Sequence, residues 1–389
     1  MNVCPHFGAC GGCATQNLEY SEELDIKEKN LLKALGDDFG HDFVYEGLEA
    51  APSAERYRNK MEFSFGDEEK GGPLALGLRK KGRFHEVVTV AECNIADRDF
   101  CSILVYALDF FRNSGETFYH KKRKTGALRF LVLRKGFFTG QILVNIVTSS
   151  ELKTDLLPFA QGLTALKLDG EISGAIHTVS DSPADAVKAD AVFVLCGENY
   201  FYENLSELTF KISPFSFFQT NSQKAGQLYE TALEYAKPFD GKTAFDLYCG
   251  AGAIAQFFAK NGASRTYGVD ITDEAILAAK ENALANGLGN CFFMCGDVLK
   301  VIDDMSAAPD IIILDPPRDG VHPKALPKIA AFGSEKIVYL SCKPSSLARD
   351  ARILSALGYE PERLKAHDMF PRTVHLEAVC LFKKTCPKW

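Results

Sequence analysis

Three apolar runs in this sequence end on, or enclose, a side chain that could do chemistry. KIVYLSC ends on Cys342, followed at once by Lys343 and Pro344. Proline stops a strand and suits the first turn of a helix, so the thiol should sit on a strand-to-helix corner. A neighbouring cation and a helix N-terminus both favour thiolate over thiol, so an activated nucleophile is expected there. DIIILD ends on Asp315, and Pro316 and Pro317 forbid its continuation. VHLEAVCLF encloses Glu377 among apolar neighbours. Burial there would raise its pKa and suit it to accept a proton.

A thiol and a base in one site suggest a particular reaction. Carbon 5 of a pyrimidine is a poor nucleophile. A thiolate adding to carbon 6 turns the ring into an enolate, and carbon 5 can then attack an electrophilic methyl group. A base must next remove the proton on carbon 5 so that the thiolate can leave. Cys342 is the candidate nucleophile and Glu377 the candidate base.

A methyl donor needs a binding loop. Asp246-Leu-Tyr-Cys-Gly-Ala-Gly252 lies between a strand pattern and a helix pattern. Gly250 and Gly252 would let the backbone approach a ligand, and Asp270 could accept hydrogen bonds from ribose hydroxyls. The loop alone fits NAD and S-adenosylmethionine equally. Its late position, with Gly296-Asp297 and Asp315-Pro-Pro-Arg318 after it, favours S-adenosylmethionine.

The elements that must position these groups follow from hydrophobic period. From about residue 215, strands alternate with helices: TAFDLYC leads into AIAQFFAK, and RTYGVDI into TDEAILAAKENALAN. That is the pattern of a doubly wound parallel sheet, a Rossmann-like α/β domain, whose strand ends face a ligand crevice. Residues 45–212 read as short alternating strands split by Gly, Pro and charged turns. Residues 16–36 read as one amphipathic helix stopped by Gly36. The expected division is a cysteine-bearing segment and helix at 1–44, a β-rich RNA-binding domain at 45–212, and the Rossmann-like domain at 213–389.

Hydrophobic residues make up 46% and charged residues 24%, ordinary values for a globular chain. The sequence holds no apolar run long enough for a membrane span and no secretory pattern at Met1, so a cytoplasmic protein without a membrane is expected. The net charge of −7 hides an asymmetry. Residues 51–140 hold 17 Lys and Arg against 11 Asp and Glu, with basic clusters at 56–60, 78–83 and 120–129. Tyr57, Phe63, Phe65, Phe84, Tyr119 and Phe130 lie among or beside them. Cations for phosphates and rings for bases are what an RNA strand requires. No obligate protein partner is expected.

Twelve cysteines in a chain of this length point to metal or catalytic sites rather than a disulfide scaffold. Cys4-x5-Cys10-x2-Cys13 has metal-ligand spacing, and a fourth ligand must come from elsewhere. Cys93 is the candidate and Cys101 its rival. Four thiolates satisfy either zinc or an iron–sulfur cluster. Cys249, Cys291, Cys295 and Cys380 lie in apolar runs and read as small buried residues.

Taken together, Phe217-Phe-Gln-Thr-Asn221, Asp246-Leu-Tyr-Cys-Gly250, Ile313-Leu-Asp-Pro-Pro-Arg-Asp-Gly320, Tyr339-Leu-Ser-Cys342 and His375-Leu-Glu377 resemble the RNA uracil-C5 methyltransferases. These enzymes modify 23S rRNA or position 54 of tRNA. The resemblance runs from Cys4 to about Phe382. It implies Cys342 as nucleophile and Glu377 as base. It also implies a methyl-donor site lined by Gln219, Tyr248, Gly250, Asp270, Asp297 and Asp315, and a 4Fe–4S cluster on Cys4, Cys10, Cys13 and Cys93. The cysteine pattern is more typical of the rRNA branch, so rRNA is the expected substrate and tRNA the alternative. Lys343 departs from the family, whose members usually carry Asn or Asp after the nucleophile.

Overall fold

The computed structural model describes residues 3–36, 39, 42–183, 189–305 and 307–385. A cysteine-bearing loop leads into helix α1 (Tyr20–Leu35) and strand β1 (Val44–Glu49). The central unit contains β2 (Lys60–Asp67), β3 (Leu74–Lys80), β4 (Arg83–Thr89), α2 (Arg98–Arg112), β5 (Leu128–Lys135), β6 (Gln141–Thr148), α3 (Leu157–Thr164), β7 (Glu171–Val179) and β8 (Ala191–Gly197). A hairpin of β9 (Phe201–Leu205) and β10 (Leu208–Ile212) leads to α4 (Ser222–Ala236). The remainder alternates: β11 (Thr243–Leu247), α5 (Ala253–Lys260), β12 (Arg265–Asp270), α6 (Asp273–Ala285), β13 (Cys291–Cys295) and α7 (Val298–Val301). After these come β14 (Ile311–Leu314), α8 (Ala325–Ala331), β15 (Lys336–Ser341), α9 (Pro344–Ala356), β16 (Tyr359–His367) and β17 (Glu377–Lys384).

The central unit is a seven-stranded sheet in the order β3-β4-β2-β5-β6-β7-β8. Helices α2 and α3 cover one face, where Phe63, Phe100, Phe111 and Phe159 are fully buried. The expected strands are present. The two helices are not legible as β alternation, which makes the unit α+β.

The second sheet has eight strands in the order β1-β16-β17-β15-β14-β11-β12-β13. Strands β11 to β15 are parallel, as the doubly wound pattern requires, and β17 runs antiparallel between β15 and β16. Strand β1, all but its first residue assigned from the sequence to the β-rich domain, supplies the edge of this sheet by pairing parallel with β16. Helix α1 docks here too: Leu31 and Leu35 enter the core formed by β14, β15 and β17. The helix starts at Tyr20 rather than residue 16, after a turn that buries Gln16. Among the described residues no helix is long and apolar enough to cross a membrane.

A buried ion network fastens α1 to the second sheet. Lys27 Nζ lies 2.8 Å from Glu23 Oε1 and 2.7 Å from Asp368 Oδ1, and all three side chains are at most 3% exposed. Removing one partner of such a network leaves uncompensated charge in a poorly hydrated place. Lys27→Met is therefore expected to lower unfolding free energy by about 3–5 kcal/mol, read from urea denaturation. An unchanged midpoint would show that the two carboxylates find water or protons without it.

Candidate active site

Parallel strands that end on one edge bring their following residues together. Tyr248 follows β11, Asp270 closes β12, Asp315 follows β14 and Cys342 follows β15. Antiparallel β17 begins where β15 ends. Ser341 pairs with Ala378, so Cys342 and Glu377 occupy the next rung. Glu377 is the first residue of its strand, not an interior one as its apolar flanks suggest.

Electrostatics joins the three groups. Glu377 is 6% exposed, and burial, then the Asp315 carboxyl, holds its pKa well above the usual carboxylate range. Burial pushes Asp315 up to about 7. Half-buried Cys342 is pushed up to about 11, by burial first and then by Glu377 and Asp315. This overturns the expectation of a thiol lowered by Lys343 and the helix N-terminus. Loss of hydration and two carboxyls outweigh them, and the cation that opposes the rise is Arg318. Arg318 also lies 3.5 Å from His375 Nδ1.

The glycine loop is organised by Asp270. Its Oδ2 accepts from the Gly250 N–H at 3.0 Å and its Oδ1 from the Thr272 N–H at 2.9 Å. Gly252 begins α5 at φ +76°, and a Cβ there would meet the Phe293 ring at 2.7 Å. Glycine is thus required twice, by backbone and by space. Tyr248 takes φ +75°, rare for a bulky residue, and turns the loop away from β11. Asp297 is exposed and caps α7, accepting from the Leu299 N–H at 3.0 Å.

Gln219 is buried in the loop before α4, where its carbonyl accepts from Asn59 Nδ2 at 3.2 Å. Its side chain hydrogen-bonds Tyr229, whose phenol is pushed up by burial first and then by Asp315, Asp246 and Glu377, with the Gln219 bond opposing the rise. Tyr229 was missed in the sequence, because a tyrosine on a helix face looks like ordinary core. Asp246 was quoted within its motif but given no role. Its Oδ2 accepts from the Ala255 N–H at 2.9 Å, while its Oδ1 is buried without a partner. Burial, then Asp315, raises its pKa to about 8. A buried orphan acceptor beside a loop this open to a ligand suits a donor bearing a positive charge.

Cys4, Cys10, Cys13 and Cys93 line one pocket, with Leu78, Val90 and Ile95 as its apolar wall. The Gly12 N–H donates to Cys10 Sγ at 3.3 Å and Gln16 Nε2 to Cys13 Sγ at 3.6 Å. Cys101 opens on a different, polar pocket with Arg56, Asn94 and Arg98. Among the described residues no group of three or more His, Cys, Asp or Glu side chains is set to hold a metal ion. Cys249 and Cys380 are buried as expected, whereas Cys291 is half-buried and Cys295 exposed, because β13 is the sheet edge.

The aromatic residues among the basic clusters divide sharply. Tyr57, Phe63, Phe65 and Phe130 are core, so they cannot stack on RNA bases. Phe84 is 76% exposed between Arg83 and His85, and Tyr119 lies under Arg129.

Known proteins resemble this chain in fold and in sequence. A tRNA (uracil-54, C5)-methyltransferase from Pyrococcus abyssi, solved with S-adenosyl-L-homocysteine, superposes with a TM-score of 0.77 at 27% identity. The match covers 96% of this chain and 86% of that one. An uncharacterized RNA methyltransferase of Clostridium acetobutylicum is 44% identical over 381 residues, covering 98% of this chain and 83% of that protein. One from Caldanaerobacter subterraneus subsp. tengcongensis is 44% identical over 382 residues, covering 98% and 84%. Residues 19–385 match the tRNA (Uracil-5-)-methyltransferase family, and the chain belongs to it as an S-adenosylmethionine-dependent RNA methyltransferase.

Proposed function

We propose that this enzyme methylates carbon 5 of a uridine in 23S rRNA, with Cys342 as nucleophile and Glu377 as general base. The observation that carries the reading is the register of β15 and β17, which sets the thiol beside a buried carboxyl. S-adenosylmethionine supplies the methyl group. Gln219, Tyr248, Gly250, Asp270, Asp297 and Asp315 would line its site, with Asp246 and Tyr229 beneath them. The target uridine must leave its stack to reach Cys342, at a cost of a few kcal/mol.

Cys342 gives its proton to water, Sγ bonds carbon 6, and the carbon 5–carbon 6 π pair shifts so that charge moves to the carbon 4 carbonyl oxygen. Carbon 5 takes the methyl group, and the donor's sulfur keeps the bonding pair. Glu377 removes the proton from carbon 5, the ring double bond re-forms, and the Sγ–carbon 6 bond breaks. A carboxyl with a raised pKa accepts that proton well.

Cys4, Cys10, Cys13 and Cys93 would hold a 4Fe–4S cluster. Four thiols around an apolar pocket, two of them accepting N–H bonds, support that donor set, whereas a single ion would need its ligands gathered at one point. Such a cluster would pin the N-terminal loop, since the methyl transfer moves no electrons. Exposed Lys81, Arg83 and Phe84 at the β3–β4 turn, with the exposed basic turn at 121–124, suit RNA phosphates and a stacked base. Transfer RNA is the second reading, favoured by the likeness to the Pyrococcus abyssi enzyme.

RNA carrying 5-fluorouridine has no removable proton at carbon 5. It should form a covalent complex that survives a denaturing gel, and Cys342→Ala should abolish it. Fragments of 23S rRNA should trap in preference to tRNA transcripts; the reverse order would establish tRNA as the substrate. Trapping should accelerate from about pH 6 to pH 9, because the thiolate fraction of a group titrating above this window rises with pH. Glu377→Gln removes a carboxylate facing the thiol, so its trapping profile should shift to lower pH. With ordinary uridine the same variant should methylate and then accumulate adduct. Protein purified without air should contain iron and acid-labile sulfide, lost in Cys93→Ser and kept in Cys101→Ser; stoichiometric zinc without iron would overturn the cluster.

A further inference from the structure

Four consecutive carbonyls just before Glu377 are each held by a different part of the chain. Met369 O accepts from Asn221 Nδ2 at 3.0 Å, Phe370 O from Lys27 Nζ at 3.1 Å, and Pro371 O from the Tyr57 hydroxyl at 2.9 Å. Arg372 O accepts from the backbone N–H groups of Ala14 at 2.9 Å and Thr15 at 3.4 Å. Ala14 directly follows Cys13, and Tyr57 directly follows Arg56, whose Nη1 donates to Cys93 O. Both halves of the cysteine pocket therefore grip the turn that leads to the base.

Arg372 is the centre of that grip. It takes φ +67°, a left-handed conformation that a long side chain rarely adopts. Its N–H donates to Glu23 Oε1 at 2.7 Å, its guanidinium reaches Leu18 O at 3.0 Å, and the residue is 8% exposed. Backbone strain of this kind persists only where the surroundings over-determine it, and it gathers at functional sites. The direction in which the chain leaves Arg372 sets where β17 starts. Cys342 lies between β15 and α9, so it has a hold besides the pairing of β15 with β17.

We propose that Arg372 is a positioning residue for the last step of the reaction, aiming Glu377 at carbon 5 from a turn clamped between the cysteine loop and α1. The inference rests on the reading of Glu377 as the base. It makes the cysteine loop a support for adduct release, a step later than RNA capture or attack. A turn that relaxes moves the carboxyl and leaves the thiol in place, so adduct should form and then persist.

Two variants test this. Arg372→Gly keeps the left-handed turn and its carbonyl but removes the guanidinium. Tyr57→Phe removes one hydroxyl donor and keeps the ring packed, so it decides the matter should the first fail to fold. With natural RNA and labelled methyl donor, single-turnover methyl transfer should stay within about twofold of the parent enzyme. Steady-state turnover should fall by roughly tenfold, and the denaturant-stable RNA–protein fraction should rise several-fold. Slower turnover without that rise, or unchanged turnover in both variants, would overturn the inference. Glu377→Gln run alongside separates the causes. Adduct in Glu377→Gln but in neither variant defeats the positioning role alone. No adduct in Glu377→Gln removes the base assignment, and this inference with it.

Discussion

One antiparallel strand among parallel neighbours determines this active site. Were β17 parallel like β14 and β15, its first residue would lie at the opposite edge from the crevice, and Glu377 would be remote from Cys342. Antiparallel pairing reverses that, and the Ser341–Ala378 rung sets thiol and carboxyl side by side. Because side chains alternate along a strand, a slip of one residue would point Glu377 to the other face. Every fully buried side chain along β15 and β17 helps to forbid that slip.

The same burial acts in opposite senses on the two groups. It raises the affinity of Glu377 for a proton, which suits a base. It also raises the pKa of Cys342, which disfavours the thiolate. Asp315 and Glu377 add to that effect, and Arg318 opposes it. A donor carrying positive charge would ease all three carboxyls on this edge towards ionisation, Asp246 included.

Much of this was legible in the sequence because local signals were strong. Proline after Cys342 and Asp315 marks strand ends, and in a parallel sheet strand ends converge. The glycine loop and Asp270 were found at the ends of β11 and β12 because that placement is local, within one βαβ unit. Tyr229 was invisible, since what distinguishes it is the company of Gln219 and three carboxyls from distant segments. The thiol's environment was misread for the same reason: Lys343 is next in sequence, but the charges that matter come from other strands. Among the rings beside the basic clusters, period-2 alternation alone could not tell the core face from the solvent face, so Tyr57 and Phe63 were offered to RNA when they belong to the core.

The edge strand β1 carries one more implication. Glu46 on β1 bonds Arg363 on β16, a partner 317 residues away along the chain. Synthesis delivers β1, α1 and the cysteine loop first, yet the sheet they complete emerges last. Until the ribosome has nearly finished, β1 and α1 have no sheet to dock on, whereas the thiol pocket is lined by residues between Cys4 and Ile95 and has its wall much earlier. The wall of the thiol pocket and the closure of the second sheet therefore belong to opposite ends of synthesis, and a nascent chain halted midway would possess the first without the second.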